Sequence, residues 1–567
     1  MRFLCVLCAL CVLGGSSYAL DREAFTFTKY DLDVRLEPEQ QRLAVRGKIN
    51  LRNDSTAPQK NIALQVSSSL DWRSIRLAGE TLQFETHPYT SDIDHTGALS
   101  EAIVTLPHEI APKGTMELEI GYEGVIPLDA TRLTRIGVPE GKAKHIDWDR
   151  ISNSFTAVRG IGYVAWYPIA TEAASLSEAS SISETTGKWM AREAQAELSA
   201  KLSYSREGGD DASGLYCGGA PETLSAAQKA DQELFTTSEC SWAPIGLSVP
   251  TLVMAHYQTL SVKDVTVRYL SDQKDAAEDY ADVASQPDLI VAVGPGSRNL
   301  QILALPDHDD TPFVTEQVLL MPLKSALTNE AELNIVYALA RQMVSSSRPW
   351  IAEGLAHYAQ VAFIEAQKGR QAALDYLEAH KAVLVEEEKQ MAGKSGPGRS
   401  LITAPDDLYL QAKSMYVWWM LSDTTGNVLS PALRTYQASR DTDPAYMQKL
   451  LEQKSNRNLQ WFFDDWVYYD RGLPDFRVAS VFSTPITGGG FLVTIEVENL
   501  GSAGGEVPII LMAGSSEIRK RLEVRGKSKA SVRIETQAAP TEVTVNDGSV
   551  PESDVSNNTF KIESMTH

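Results

Sequence analysis

The spacing between apolar residues changes twice along this 567-residue chain, and that change limits its possible folds more than any single motif does. From Phe25 to about Val125, apolar and polar residues alternate in runs such as "YDLDVRLEP", "LAVRGKINLRN" and "MELEIGYEGV". Successive strand side chains point to opposite faces, so a period of two bounded by Asn, Pro and Gly predicts half-buried antiparallel strands. The same period returns in "AELSAKLSYS", "PTLVMAHYQ" and "DVTVRYLS", so one all-β domain over residues 20–270 accounts for this part. A loop-rich insertion is expected around "REGGDDASG" and "ETLSAAQKADQEL".

Near Ser271 the spacing lengthens to three and four, the signature of amphipathic helices rich in good helix formers. It runs through "SDQKDAAEDYADVAS", "NEAELNIVYALARQMV", "AEGLAHYAQVAFIEAQKGRQAALDYLEAHKAVLVEEEKQM" and "LYLQAKSMYVWWMLSD". A mainly helical domain over residues 271–475 is expected, with "AGKSGPGRS" as a flexible connection. Its Gly393-Lys394-Ser395 is no phosphate loop, since no Gly stands five places earlier and no strand precedes it. After Gly472-Leu473-Pro474 the alternation returns, and residues 476–567 are expected to form a C-terminal β-sandwich. The fold class is therefore multidomain α+β, in keeping with a chain too long for one core.

Composition narrows the partners. The net charge of −22 is spread along the chain, which repels nucleic acid and anionic lipid. The opening "MRFLCVLCALCVLGGSSYALDREAF" carries one Arg, a short apolar run and small residues at Ser17 and Ala19. It reads as a signal peptide over residues 1–19, which makes the mature chain exported, periplasmic or extracellular, and without a transmembrane segment. Beyond that segment only Cys217 and Cys240 remain, and in an oxidising compartment they most simply pair. Two glycosylation sequons begin at Asn53 and Asn557, and they have meaning only in a eukaryotic source.

Four stretches then carry a resemblance: "YVAWYPIA" (Tyr163 to Ala170), "WIAEGLAHY" (Trp350 to Tyr358), "QAKSMYVWWML" (Gln411 to Leu421) and "NLQWFFDDWVYYDRGLP" (Asn458 to Pro474). Together with the order of domains, they resemble the aminopeptidase N family of gluzincin zinc metallopeptidases over nearly the whole mature chain. The resemblance implies an N-terminal β saddle, a thermolysin-like helical domain and an Ig-like sandwich. In that family a helix carries H-E-x-x-H, and a Glu within W-x-x-E-G on the following helix completes the zinc site. A Tyr in Y-x-K-[GS] stabilises the oxyanion. Two His four residues apart share a helix face and hold zinc, while the Glu between them takes a proton from the metal-bound water.

Matched to that pattern, "YALARQM" puts Tyr337 at the first His, Ala338 at the general base and Arg341 at the second His. Met343 falls where a Trp is usual, Glu353 matches the third ligand, and Gln411 falls at the Tyr position, with Lys413 and Ser414 keeping its flank. Tyr409 is a substitute two places out of register. The connection from Arg341 to Glu353 is shorter than the family's. A phenol ionises near ~10, Arg stays protonated, and Ala accepts no proton, so the zinc chemistry fails at these vestigial positions. No catalytic residue, metal ligand or cofactor is therefore expected.

The expected replacement is a bidentate pair between the guanidinium of Arg341 and the carboxylate of Glu353. His357, one turn beyond Glu353, and His308 in "PDHDD" are read as ordinary hydrogen-bonded and solvated residues. Glu316 falls near the family strand that binds a substrate amino terminus, although the pattern around it is absent. Glu316, Glu353 and Gln411 are thus the residues to which peptide binding would fall. The leading expectation is an exported pseudo-peptidase that binds peptide or protein. An active zinc aminopeptidase with an atypical site and a structural or assembly protein stay open as alternatives.

Overall fold

A computed structural model describes residues 20–562, apart from 179–180, 207–213, 218–219, 222–227, 231–232, 287–298, 345, 392–399, 405–407 and 488. The expected signal peptide lies outside the described residues, as do most of the "AGKSGPGRS" connection and much of the expected insertion. The chain divides into two compact units, 1–256 and 257–567.

The first unit is built on an eight-stranded sheet whose centre pairs Phe25–Glu37, Arg42–Asn53 and Thr115–Val125 antiparallel. Tyr30, Leu32, Val34 and Leu36 are buried while Asp31, Asp33 and Arg35 alternate with them, as the period of two requires. Gly47 faces Leu32 in the register, and a Cβ there would stand 2.2 Å from Asp31 O, so only Gly fits. One contact in this sheet is parallel, between Phe25–Glu37 and Glu197–Arg206.

Within "YVAWYPIA", Trp166 and Tyr167 are fully buried, and Trp166 Nε1 donates to Pro250 O at 2.9 Å. Cys217 and Cys240, both buried, form a disulfide that joins strands of two different sheets. Asn53 is buried with its amide nitrogen donating to Ala57 O (2.9 Å) and Ile110 O (2.8 Å). That amide is structural, so the sequon there is not a glycan site on the folded chain.

The second unit opens with a five-stranded mixed sheet, and this differs from the expected boundary at residue 270. Gln258–Val262 and Val265–Tyr269 do not close the first unit. They pair through Val265–Tyr269, in parallel, with Leu300–Leu305, which pairs in parallel with Val318–Pro322, whose other edge takes the antiparallel hairpin strand Phe313–Thr315. The runs "LQILAL" and "VLLMP" are almost uniformly apolar because these strands are buried on both faces. The region is thus mixed rather than mainly helical.

Its five longest helices are α1 (Lys274–Ala284), α2 (Asn329–Met343), α3 (Pro349–Lys368), α4 (Arg370–Met391) and α5 (Leu408–Thr425). Thr328 caps α2 by accepting from Ala331 N, Pro349 opens α3, and Gly369 at φ 85° separates α3 from α4. Among the described residues no helix is long and apolar enough to cross a membrane.

Residues from Phe476 onward form two antiparallel sheets, ordered Phe476–Pro485, Phe491–Asn499, Lys529–Thr536 and Ser516–Val524, Gly505–Ala513, Pro540–Val545, Thr559–Lys561. Their inward residues Val493, Ile495, Ile509, Leu511 and Val543 belong to the same core as the helices. The junction is specific: Trp466 Nε1 donates to Gly504 O (2.8 Å), and Arg370 reaches Asp423 and Asp547. The second sequon residue, Asn557, donates its amide nitrogen to Asp475 Oδ1 at 2.9 Å.

Glu552 is buried in this sandwich. Its Oε1 accepts from Asn558 at 2.7 Å and from Asn546, and its Oε2 accepts from Phe476 N at 2.8 Å. Burial pushes its carboxyl up to about 7. The fold therefore favours the protonated acid, and its contribution is fully present below the ordinary carboxylate value and lost as pH rises to about 7. Glu552→Gln is expected to flatten that part of the profile, removing roughly 3 kcal/mol of pH-dependent stability at about 1.4 kcal/mol per unit. Denaturant midpoints of the two chains between pH 4.5 and 8 check this; parallel profiles would contradict it.

Candidate functional site

The centre of the second unit is made by three helices, each placed by an identifiable contact. Tyr337 and Arg341 lie four residues apart on α2 and so share a face, with Arg341 in the last turn, where a cation is favoured by the helix dipole. The connection to α3 is short, and it is held by Arg348, whose Nε donates to Asp441 Oδ1 at 2.8 Å. Tyr436 adds bonds to Ser346 (2.9 Å) and to the other Asp441 oxygen (2.7 Å). Pro349 then starts α3 immediately, which brings Glu353 round in its second turn.

α3 packs tightly on α5. The Trp350 and Trp418 rings stack at 5.3 Å, and Trp418 Nε1 donates to Trp350 O at 3.0 Å. Gly354 allows this approach: a Cβ there would lie 2.7 Å from Ser414 Cβ and 2.8 Å from Trp418 Cδ1. The W-x-x-E-G stretch is thus a packing device that fixes the direction of Glu353.

Glu353 is buried, with its side chain 6% exposed. Arg341 Nη2 stands 3.1 Å from Oε1, and the Tyr337 hydroxyl donates to Oε2. Tyr337 and Arg341, two of the three residues expected at ligand positions, therefore both hold the third, Glu353. The expected pairing of Arg341 with Glu353 is present, and Tyr337 adds a donor to the second oxygen that sequence reasoning did not foresee. A buried carboxylate is costly without a cation and without donors to its remaining lone pairs, and here two side chains meet both needs.

Ala338, at the general-base position, is buried and presents only a methyl group. This donor set does not fit a divalent ion: it offers a guanidinium, a phenol that donates its proton, and the Glu353 carboxylate that both of them hold.

His357 is the neighbour that sequence reasoning set aside. Its ring lies 5.1 Å from that of Tyr337, and its Nδ1 is 3.1 Å from Gln360 Oε1. Burial, outweighing the attraction of Glu353, pushes it below the ordinary histidine range, so it sits neutral beside the Arg341 cation at neutral pH.

The other predicted residues fall elsewhere. Gln411 is half-buried in the first turns of α5, and Glu353 already has its two partners on α2. Tyr409, two residues earlier, is rotated by about 200° around the helix from Gln411. Its hydroxyl is engaged with Asp470 and lies 3.0 Å from Lys413 Nζ, so it does not replace the missing oxyanion Tyr. Glu316 occupies the tight turn between Phe313–Thr315 and Val318–Pro322 at φ 44°, half-buried, with its carboxyl pushed up to about 7 by burial. The turn is tied to α2 beside Arg341 by Gln342 Nε2, 3.5 Å from Gln317 O. His308 lies in an exposed turn.

No family model and no curated protein matches the chain. Among solved structures it is similar to the crystal structure of an M1 zinc metallopeptidase from Deinococcus radiodurans. Identity is 13% and the TM-score 0.46, covering 79% of this chain and 95% of that one. A mutant of the Deinococcus enzyme bound to a Tyr-Ser-Ala substrate gives 14% identity and a TM-score of 0.45, over 80% and 96% of the two chains. A two-domain mutant bound to L-tryptophan gives 14% and 0.46, over 81% and 97%.

Removing Arg341 would leave a buried carboxylate with a neutral donor alone. Arg341→Ala is expected to destabilise the chain by roughly 2–3 kcal/mol, below the full cost of breaking a buried pair because the Arg side chain is 18% exposed. Glu353→Gln should cost less, and the double variant should recover part of the Arg341→Ala loss. Strictly additive losses in chemical denaturation would show that the two side chains do not act as a pair.

Proposed function

We propose that this chain is an exported aminopeptidase N-like pseudo-peptidase, which keeps the scaffold to hold a peptide or protein and performs no hydrolysis. The observation that carries the reading is the closed set of contacts among Tyr337, Arg341 and Glu353. A hydrolytic zinc centre needs neutral nitrogen or anionic oxygen donors around the metal, a proton acceptor beside its water and a donor for the oxyanion. At the matching positions this chain supplies a fixed cation, a phenol, a methyl group and an amide. The Glu that remains serves the cation.

Support for retained binding comes from what the substitutions leave intact. The Trp350, Gly354 and Trp418 packing, the Arg348 anchor and the junction with the sandwich hold the frame without any metal. Glu316 on its tight turn, one bond from α2, is the acidic group we assign to a peptide amino terminus. The charge and apolar pattern of residues 1–19 and the pairing of Cys217 with Cys240 support the export part of this reading.

The test uses the full chain purified without chelators. Zinc is expected well below one ion per molecule, and amino-acid amides should not be hydrolysed above blank even with added zinc. Stoichiometric zinc together with turnover would sink the reading. A fluorescent tripeptide with a free amino terminus is expected to bind, its N-acetylated form to bind at least tenfold more weakly, and Glu316→Ala to remove the difference. Equal binding of the two peptides would remove Glu316 from the site.

A further inference from the structure

Lys413 is a lysine that the proposed function does not use, and it is 1% exposed. Burying an ammonium is expensive, so its surroundings should explain it. Its Nζ contacts Asp470 Oδ1 and donates to the Tyr409 hydroxyl at 3.0 Å. The rings of Tyr409 and Trp466 close over it at 5.5 and 5.6 Å. Asp470, its side chain 8% exposed, sits at φ 45°, a left-handed conformation that a non-glycine residue holds only when its surroundings impose it. Both of its oxygens are held: Tyr409 donates to Oδ2, and Gly472 N donates to Oδ1 at 3.2 Å.

A third ionisable group faces the pair. Glu388, from α4, accepts from Leu473 N at 3.1 Å and packs against Gly472, near enough for its charge to act on both Lys413 and Asp470. Burial pushes the Glu388 carboxyl up and the Lys413 amine down, so both lean towards their neutral forms.

We propose that Lys413 and Asp470 condense into an intramolecular amide, a covalent clasp between α5 and the loop leading into the sandwich. The chemistry balances without any added reagent. Moving one proton within the ion pair gives a free amine and a carboxylic acid of unchanged composition. The Nζ lone pair attacks Cγ of Asp470 and forms the C–N bond, while Tyr409 stabilises the charge that builds on Oδ2. Glu388, as the neutral acid, gives its proton to Oδ1, which leaves as water, and takes one in return from the nitrogen. One water is lost and nothing is oxidised or reduced.

Burial activates the amine, and its placement against the carboxyl replaces an encounter in solution, an advantage worth about 10⁵–10⁸ M in well-oriented cases. The product also removes two buried charges, which an ion pair of the same residues would keep.

Mass spectrometry of the intact, denatured full chain tests this. After reduction of the disulfide, the wild-type protein is expected to be lighter than its processed sequence by the mass of one water, and a tryptic digest should yield a branched peptide joining Lys413 to Asp470. Lys413→Arg, which keeps a cation for Asp470, should restore the full mass and abolish the branched peptide. Glu388→Gln should leave most molecules uncondensed in a chain that still folds. A wild-type chain of full mass, with Lys413 and Asp470 in separate peptides, overturns the proposal and leaves a buried ion pair only. Complete condensation in Glu388→Gln overturns the role given to Glu388.

Discussion

A carboxylate enclosed by helices must be offered positive charge and hydrogen-bond donors, and Glu353 imposes that requirement on the centre of this protein. A metal ion is one way to meet it. Here α2 meets it with a guanidinium and a phenol one helical turn apart, each directed at a different oxygen. Neither substitution makes sense alone: Arg341 without Glu353 would be a half-buried cation, and Tyr337 alone could not neutralise an acid. The three side chains act as one unit, in which the charge of Arg341 and the hydroxyl of Tyr337 together meet the needs of a buried acid.

The same economy appears in the surrounding helices. The shorter connection between α2 and α3 removes freedom that a longer loop would have, and Arg348 with Asp441 fixes what remains. Gly354 brings α3 onto α5 closely enough for two indoles to stack. These contacts depend on shape and on neutral hydrogen bonds, so they persist whatever occupies the polar centre. That independence is why fold and activity need separate arguments.

Much of this was legible in the sequence because long periodic segments declare themselves. The helical spacing located α1 to α5 closely, and the return of alternation after Pro474 marked the sandwich. The strands Leu300–Leu305 and Val318–Pro322 escaped because a short, uniformly apolar run has no period to read. The boundary between units fell at 256 rather than 270 for a different reason: Val265–Tyr269 alternates like its predecessors, and only its long-range partner shows which sheet it joins. At the site, residue identity sufficed to predict that Arg341 would meet Glu353. The part played by Tyr337 was missed, since a phenol in a ligand's place was judged as a poor metal donor and not as a good hydrogen-bond donor. The structural part of Asn53 was also out of reach, since nothing in the sequon shows an amide whose nitrogen is spent on two backbone carbonyls.

The helices and the sandwich share one continuous core, and the ion pairs of Arg370 with Asp423 and Asp547 bridge them. A protein engineer who treated the last ninety or so residues as a portable module would therefore cut through its hydrophobic interior. The excised piece would carry raw apolar surface and orphaned acids, and what was left behind would be equally incomplete. Inheritance should treat these parts the same way, passing them down as a single indivisible body.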